Sequence, residues 1–243
     1  MPYRRTFFEK HRPFHIISRA VDGREIFRRE DDCYRFIFQL YAANFGKPGF
    51  NMRKEDVIKT AKALLQGEKI LSKFLIEEHS PLVSILDFSL VINHYHLYLL
   101  ANTENSVPIF IQKLNRGFAG YFNLKYNRKG SLFGGPYKSV PTKTEFQGVA
   151  VSRYVGIINP LDVYQPNWRE EGLNDWQKAF KFLENFQFSS FPDKIENRKS
   201  KILAPKEILE QYSFIGLGQE VFKEFTEEFL KQKQSPFKYL YLE

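Results

Sequence analysis

The chain has 243 residues, of which 43% are hydrophobic and 16% aromatic, so it can bury a substantial core and is not disordered throughout. Lysine and arginine (36) exceed aspartate and glutamate (28), and the formal net charge of +8 favours a polyanionic partner, nucleic acid ahead of an anionic membrane. The single cysteine, Cys33, excludes internal disulfides and cysteine-based zinc sites. No run of about 18 apolar residues predicts a bilayer span, and the charged N-terminus lacks the apolar stretch of a signal peptide, so we expect a cytoplasmic protein that does not bind membranes.

Hydrophobic periodicity predicts alternating strands and helices along most of the chain. In chain order these are a strand at 13–19, a helix at 30–43, an amphipathic helix at 53–78, two strands within 82–100 that break near Asn93, and a helix at 107–126. The helix at 53–78 lies in an insertion of about 46–80 between core elements.

A further helix is predicted by the capping box of Thr144 and Gln147. We expect this helix to end at Asn159-Pro160, because proline disfavours helical geometry in the residue before it. A glycine-rich turn at 130–136, flanked by short strand-like pieces, precedes it.

The order of these elements predicts an α+β fold, in which an antiparallel sheet is covered by helices on one face. Residues 1–184 are predicted to form one domain that includes the insertion. Residues 185–243 are predicted to be a polar linker followed by a charged helical extension, with the helix at 205–233.

Two of the five histidines, His94 and His96, stand one residue apart in an apolar strand. Their side chains therefore point to the same face of the sheet, while Tyr95 points to the other. Two imidazoles on one face are able to share a metal ion, and they are equally compatible with partly buried histidines hydrogen-bonded to backbone. His15 alternates with Ile17 on the first strand, and we expect it to be structural.

Tyr154 lies on a short helix of small residues, and Arg153 adjoins it. A tyrosine can act as a covalent nucleophile, but its ordinary pKa is near 10, so a metal or another cation must assist. Tyr121 lies on the apolar stripe of the helix at 107–126, and we expect it to pack in the core.

Basic residues are interleaved with aromatic residues around the glycine-rich turn. The basic members are Arg116, Lys125, Arg128, Lys129, Lys138 and Lys143. This pattern suits single-stranded nucleic acid, whose bases stack on rings while its phosphates pair with cations. A solvated basic face on a core helix is the other interpretation.

Taken together in this order, four segments resemble the REP-associated tyrosine transposases, which belong to the single-tyrosine branch of the HUH endonucleases. The segments are HIISRAVDGREIF, HYHLYLL, LNRGFAGYFNLKYNRKGSLFGGPYKSV and SRYVGIINP, and the match covers roughly residues 13–170. The resemblance implies a ferredoxin-like fold and metal-dependent cleavage of single-stranded DNA, often beside a hairpin.

The resemblance also implies roles for individual residues. His94, His96 and Asn159 would hold a divalent ion such as Mg²⁺ or Mn²⁺, and Tyr154 would attack the scissile phosphate to form a 5′-phosphotyrosine link and a free 3′-OH. The candidate DNA-binding residues are Arg19, Arg116, Arg128, Lys129, Lys138, Ser139 and Arg153. We expect a monomer, with a dimer as the alternative.

The sequence departs from the family pattern at three places. Ile92 replaces the usual proline before the Asn-His pair, and Pro136 replaces an arginine, which removes a phosphate contact. Tyr154 and Asn159 are five residues apart instead of four, which displaces them by about 140° on a regular helix. Ile158, four residues after the tyrosine, cannot bind metal, so we expect a π-bulge to absorb the extra residue.

The leading functional hypothesis is a single-stranded DNA endonuclease and strand transferase, a transposase or a domesticated relative. The first alternative is a binding module that keeps the fold and has lost cleavage through the shifted Asn159. The second is a replication-initiator or relaxase-type nickase, which a preference for terminal hairpins would argue against.

Overall fold

The computed structural model describes residues 7–45, 54–75, 80–231 and 238–242. The strands are β1 (Pro13–Arg19), β2 (Val83–Val91), β3 (His94–Ala101) and β4 (Lys138–Pro141). The helices of the first part are α1 (Glu30–Phe45), α2 (Lys54–Gln66), α3 (Ser106–Lys125), α4 (Glu145–Arg153) and α5 (Asn159–Tyr164), with a π-helical turn at Tyr154–Ile158 between the last two. The later helices are α6 (Trp168–Glu171), α7 (Trp176–Asn185), α8 (Phe191–Lys194), α9 (Lys206–Tyr212), α10 (Gln219–Lys231) and α11 (Lys238–Tyr241).

The described strands form one four-stranded sheet in the order β2-β3-β1-β4. Every neighbouring pair is antiparallel. With a helix between β1 and β2 and another between β3 and β4, this is the ferredoxin-like arrangement of two interleaved β-α-β units. The predicted α+β fold class is confirmed.

Side-chain alternation divides the sheet into two buried faces. One face carries Ile16, Tyr95 and Leu97, and it packs against α1, α2 and α3 in a large aromatic and aliphatic core. The opposite face carries Tyr98 and Leu100, and a second core there is built from the elements that follow β4. The helices expected on one face are present, and the histidine face is covered as well.

The insertion of about 46–80 is described only in part, since residues 46–53 and 76–79 lie outside the described ranges. Its helix, α2, ends at Gln66, well before residue 78. Gly67 follows with φ +71°, a left-handed conformation that ends an α-helix and that glycine adopts without strain.

The prediction that the helix begun by Thr144 ends at Asn159-Pro160 is wrong. Ile158 and Asn159 both have right-handed helical dihedrals, and the chain continues as α5 to Tyr164. The backbone N–H of Asn159 donates to the carbonyl of Tyr154, five residues back. In a regular helix proline lacks an N–H and its ring clashes with the carbonyl four residues back. Here Pro160 stands in the first turn of α5, directly after a widened turn whose bonds already run to the residue five back, so it is tolerated.

Residues after 185 pack closely on the sheet. The N–H of Ser190 donates to the Phe88 carbonyl at 2.9 Å, and the N–H of Ala204 donates to the Ile85 carbonyl at 2.9 Å. The helix expected at 205–233 is divided into α9 and α10 around Gly216, which has φ +68°. The domain boundary at 185 stays a prediction.

The helices in the described ranges include none that is both long enough and apolar enough to cross a bilayer.

Candidate active site

His94 and His96 begin β3 on the sheet face opposite the α1–α3 core. Their ring centroids are 4.9 Å apart. Tyr95 points the other way, as predicted: it is fully buried, and its hydroxyl donates to Asn115 Oδ1 at 2.6 Å. The pair therefore presents two imidazoles to one side of the sheet.

A third histidine, His15, joins this pair from the neighbouring strand β1. Its Nε2 lies 2.9 Å from His96 Nδ1, and the two rings stack at 5.1 Å. Its Nδ1 lies 2.5 Å from the carbonyl oxygen of Leu240 on α11. His15 is thus in direct contact with the candidate metal site, although the sequence alone indicated only a structural role.

Burial keeps the three histidines neutral. Desolvation lowers the pKa of His15 to about 4, in spite of the Leu240 carbonyl, and the pKa of His94 to about 3. Desolvation also lowers the pKa of His96 far below its ordinary value, and the charges of Arg19 and Arg169 add to the effect at His94 and His96. A neutral imidazole is the form that binds metal ions.

Tyr154 opens the π-helical turn and lies against the histidines. Its ring centroid is 5.7 Å from that of His96 and 5.9 Å from that of His15. The side chain is only 1% exposed. Burial raises the pKa of its phenol to about 12, while the guanidinium of Arg169 opposes this rise through its charge and a hydrogen bond.

The π-helical turn brings Asn159 to the same guanidinium. Arg169 Nη2 donates to Asn159 Oδ1 at 3.4 Å, and its guanidinium carbon lies 5.6 Å from the Tyr154 ring centroid. The π-bulge expected from the five-residue spacing is therefore confirmed. A regular α-helix would have turned the two side chains about 140° apart.

Arg169 is a candidate functional residue that the sequence did not reveal. It lies on the short helix α6 and makes two hydrogen bonds to Asp162, both at 2.8 Å. The Asp162 carboxylate fixes the position of the guanidinium, and the guanidinium in turn contacts Tyr154 and Asn159. The seven-residue spacing of Asp162 and Arg169 does not predict the pairing, because the chain leaves helical geometry between them at the left-handed Asn167.

The residues available for a metal ion are two imidazoles and one amide. Among the described residues, no group of three or more His, Cys, Asp or Glu side chains is placed to hold a metal. Asn159 is fully buried: its Oδ1 accepts from Arg169, and its Nδ2 has no hydrogen-bond partner within the described ranges, so a single hydrogen bond holds the amide. Two neutral nitrogens and an amide oxygen fit an ion such as Mn²⁺ or Mg²⁺ that takes its remaining ligands from phosphate and water.

The C-terminal helices cover the candidate nucleophile. The ring of Tyr241 stacks on Tyr154 with centroids 4.3 Å apart and an interplanar angle of 11°. Phe229 of α10 packs against the same ring at 6.0 Å. A phosphate can reach the Tyr154 hydroxyl only after part of this cover moves.

The predicted DNA-binding residues have different environments. Arg19 is exposed at the end of β1, where it pairs in register with His94, and its charge acts on His94, His96 and Tyr154. Three more, Arg116, Lys129 and Lys138, are exposed. The remaining ones are half-buried: Arg128 is bonded to Asn123 and Ser131, Ser139 lies on β4, and Arg153 lies with its guanidinium 5.3 Å from the Phe225 ring centroid.

Two other residues of the basic and aromatic group are engaged inside the protein. Lys125 donates to Asp31 and Asp32 at 2.7 and 2.6 Å. Tyr121 donates to Asp32 at 2.9 Å, a polar contact beyond the packing expected for it.

The chain shows a likeness to a solved structure and no match at the level of sequence. No protein-family model matches the sequence, and no curated protein matches it. Among solved structures, the chain is similar to a REP-associated tyrosine transposase bound to a REP hairpin, with a TM-score of 0.44 and 10% identity over 85% of this chain and 92% of that chain. A likeness of this size assigns no role to any residue.

Proposed function

We propose that the chain is a metal-dependent single-stranded DNA endonuclease and strand transferase that acts through a 5′-phosphotyrosine intermediate. The observation that carries the proposal is the π-helical turn. It places Tyr154 and Asn159 on one guanidinium, and the Tyr154 ring lies beside His96 of β3. This arrangement completes the ordered motifs that resemble the single-tyrosine HUH endonucleases.

The reaction exchanges one phosphodiester for another. The Tyr154 Oη forms a bond to phosphorus as the bond from phosphorus to the 3′ oxygen breaks, and the 3′ oxygen leaves as a hydroxyl with the proton that the phenol gives up. Arg169 stabilises the phenolate, because its charge lies against the ring and its hydrogen bond reaches the hydroxyl. The link keeps the energy of the broken bond, so strands can be rejoined without a nucleotide cofactor.

A divalent ion such as Mg²⁺ or Mn²⁺, held by His94, His96 and Asn159, would withdraw charge from the phosphoryl oxygens of the substrate. The protein's own contribution is positioning. The buried tyrosine is held where α4 meets the π-helical turn, so its attack on a bound phosphate is effectively intramolecular. Arg19 at the end of β1 is placed to bind a flanking phosphate.

The proposed partner is single-stranded DNA that contains a hairpin, bound by a monomer. The exposed cations Arg116, Lys129 and Lys138 would supply phosphate contacts outside the site, with a salt dependence that reports their number.

A second candidate function is a hairpin-binding protein that no longer cleaves. The observation in its favour is the cover over Tyr154, which leaves the phenol buried with a pKa of about 12. Stable binding without covalent capture would support this candidate.

The test is a covalent capture assay. The protein is incubated with Mn²⁺ and a library of fluorescent single-stranded hairpins and run on a denaturing gel. A metal-dependent adduct is expected in the wild type and in Tyr241→Phe, and it should be lost in Tyr154→Phe. An adduct that survives Tyr154→Phe and disappears in Tyr241→Phe would reassign the nucleophile, and binding without an adduct would favour the second candidate.

A further inference from the structure

Within the described ranges, the ring hydrogen bonds of His94 and His96 all use Nδ1. His94 Nδ1 lies 2.6 Å from Asn93 Oδ1, and the amide nitrogen of Asn93 donates elsewhere, to the Gly23 carbonyl. His96 Nδ1 lies 2.9 Å from His15 Nε2. The Nε2 atoms are therefore the nitrogens left for a ligand, and the proton on each ring must sit on Nδ1 for Nε2 to bind a metal.

For His96 the position of this proton is set by a chain of contacts that begins at the backbone of α11. A carbonyl oxygen only accepts, so the Leu240 contact requires a proton on His15 Nδ1. His15 is fully buried, and none of the ion pairs among the described residues involves it, so it is not held as a cation. Its Nε2 is then bare and must accept, which requires the proton of His96 to be on Nδ1.

We propose that His15 is a positioning residue that, together with the Leu240 carbonyl, fixes the His96 tautomer with a bare Nε2. This inference rests on the proposed metal site for its purpose, and it adds a residue from β1 that the motif does not contain. Outer partners of this kind fix both the tautomer and the ring orientation of a histidine ligand.

The tautomer can be measured directly in the metal-free protein. Long-range proton–nitrogen NMR on protein with ¹⁵N-labelled histidine distinguishes protonated from bare ring nitrogens at neutral pH. His96 is expected to show a protonated Nδ1 and a bare Nε2, and His15 the same. A protonated Nε2 on wild-type His96 would overturn the proposal.

Substitutions then separate polarity from packing. His15→Gln keeps an acceptor oxygen near the position of Nε2, so it should preserve the His96 tautomer and nearly all of the affinity for Mn²⁺ measured without DNA. His15→Leu removes the acceptor, so the tautomers should mix and the affinity for Mn²⁺ should fall by about 10–100-fold. The control is Tyr98→Phe: Tyr98 pairs in register with His15, and its hydroxyl contacts Thr142 and none of the histidines.

The outcomes distinguish this proposal from the proposed function. An unchanged tautomer and affinity in His15→Leu would refute the role of His15. If His15→Leu does not fold, His15→Gln decides the matter, since loss of the bare Nε2 in that variant would refute it as well. The expected tautomer with no covalent adduct would leave the role of His15 standing while the proposed function fails.

Discussion

A buried ion pair fastens the helix of the candidate nucleophile to the sheet. Asp87 of β2 and Lys194 of α8 are both fully buried and lie 3.3 Å apart. The hydroxyl of Ser152, two residues before Tyr154, donates to Asp87 Oδ2 at 2.7 Å, and that of Ser190 donates to Oδ1 at 2.8 Å. One carboxylate therefore joins the sheet, the helix of the candidate nucleophile and the C-terminal layer.

Replacing only the lysine should destabilise the protein strongly. In Lys194→Met the Asp87 carboxylate keeps two hydroxyl donors and loses its only contacting cation among the described residues. Removing one partner of a buried pair in this way costs about 3–5 kcal/mol of folding free energy. The double variant Asp87→Asn with Lys194→Met should lose much less, because it also removes the charge whose desolvation is costly.

The measurement is urea denaturation followed by the fluorescence of Trp168 and Trp176. The control is Lys206→Met, which breaks an exposed pair with Glu196 and should leave the midpoint unchanged. A loss below about 1 kcal/mol in Lys194→Met, the range of a surface pair, would refute the claim that this pair is an organising contact. A double variant as unstable as the single one would also contradict the reasoning.

Three further predictions concern the site and the pH dependence of stability. In Tyr241→Ala, less burial should lower the pKa of Tyr154 from about 12 towards 10. Each unit by which this pKa falls gives about ten times more phenolate at a fixed pH below the pKa. The pH–rate profile for adduct formation should therefore move to lower pH, and an unmoved profile would contradict this. In Arg169→Met the pKa of Tyr154 should rise and the pH–rate profile should move to higher pH, with the single-turnover rate reduced by about 10²-fold or more. A rate close to that of the wild type would argue against the role of the guanidinium. Burial alone would raise the pKa of Asp31, but hydrogen bonds and charge from two lysines, Lys125 among them, hold it below 3.8. Folding stability from this contact is thus present above pH 3.8 and lost as pH falls through the lowered pKa, and Lys125→Met should flatten that part of a stability–pH curve.

Local patterns in the sequence were enough to predict much of this fold and part of the site. Strand alternation predicted β1 at its observed bounds and the shared face of His94 and His96. The count from Tyr154 to Asn159 predicted the π-bulge, because a regular helix cannot bring residues five apart to one side. The strand and the shared face depend only on the periodicity of neighbouring residues, whereas the π-bulge was predicted because the five-residue spacing departs from the four-residue spacing of the family that the sequence resembles.

Contacts between distant parts of the chain could not be predicted in this way. His15 and Leu240 are 225 positions apart, and their contact depends on where α11 packs. The pairing of Arg169 with Asp162 depends on a left-handed residue, Asn167, that starts α6 at a new angle. Neither contact has a spacing or a composition that distinguishes it in the sequence.

Successive residues of α11 have opposite effects on the site. The Leu240 carbonyl accepts the hydrogen bond of His15 that leaves His96 Nε2 bare, while the Tyr241 ring covers Tyr154. If only the Tyr241 side chain moves, Tyr154 becomes exposed and the His96 tautomer is kept. If all of α11 moves away, Tyr154 becomes exposed and the His96 tautomer is no longer fixed. Deletion of residues 238–243 should therefore weaken Mn²⁺ binding, and Tyr241→Ala should not. Equal Mn²⁺ affinities in the two variants, measured by titration without DNA, would show that the backbone of α11 contributes nothing to the metal site and that its only effect is the cover.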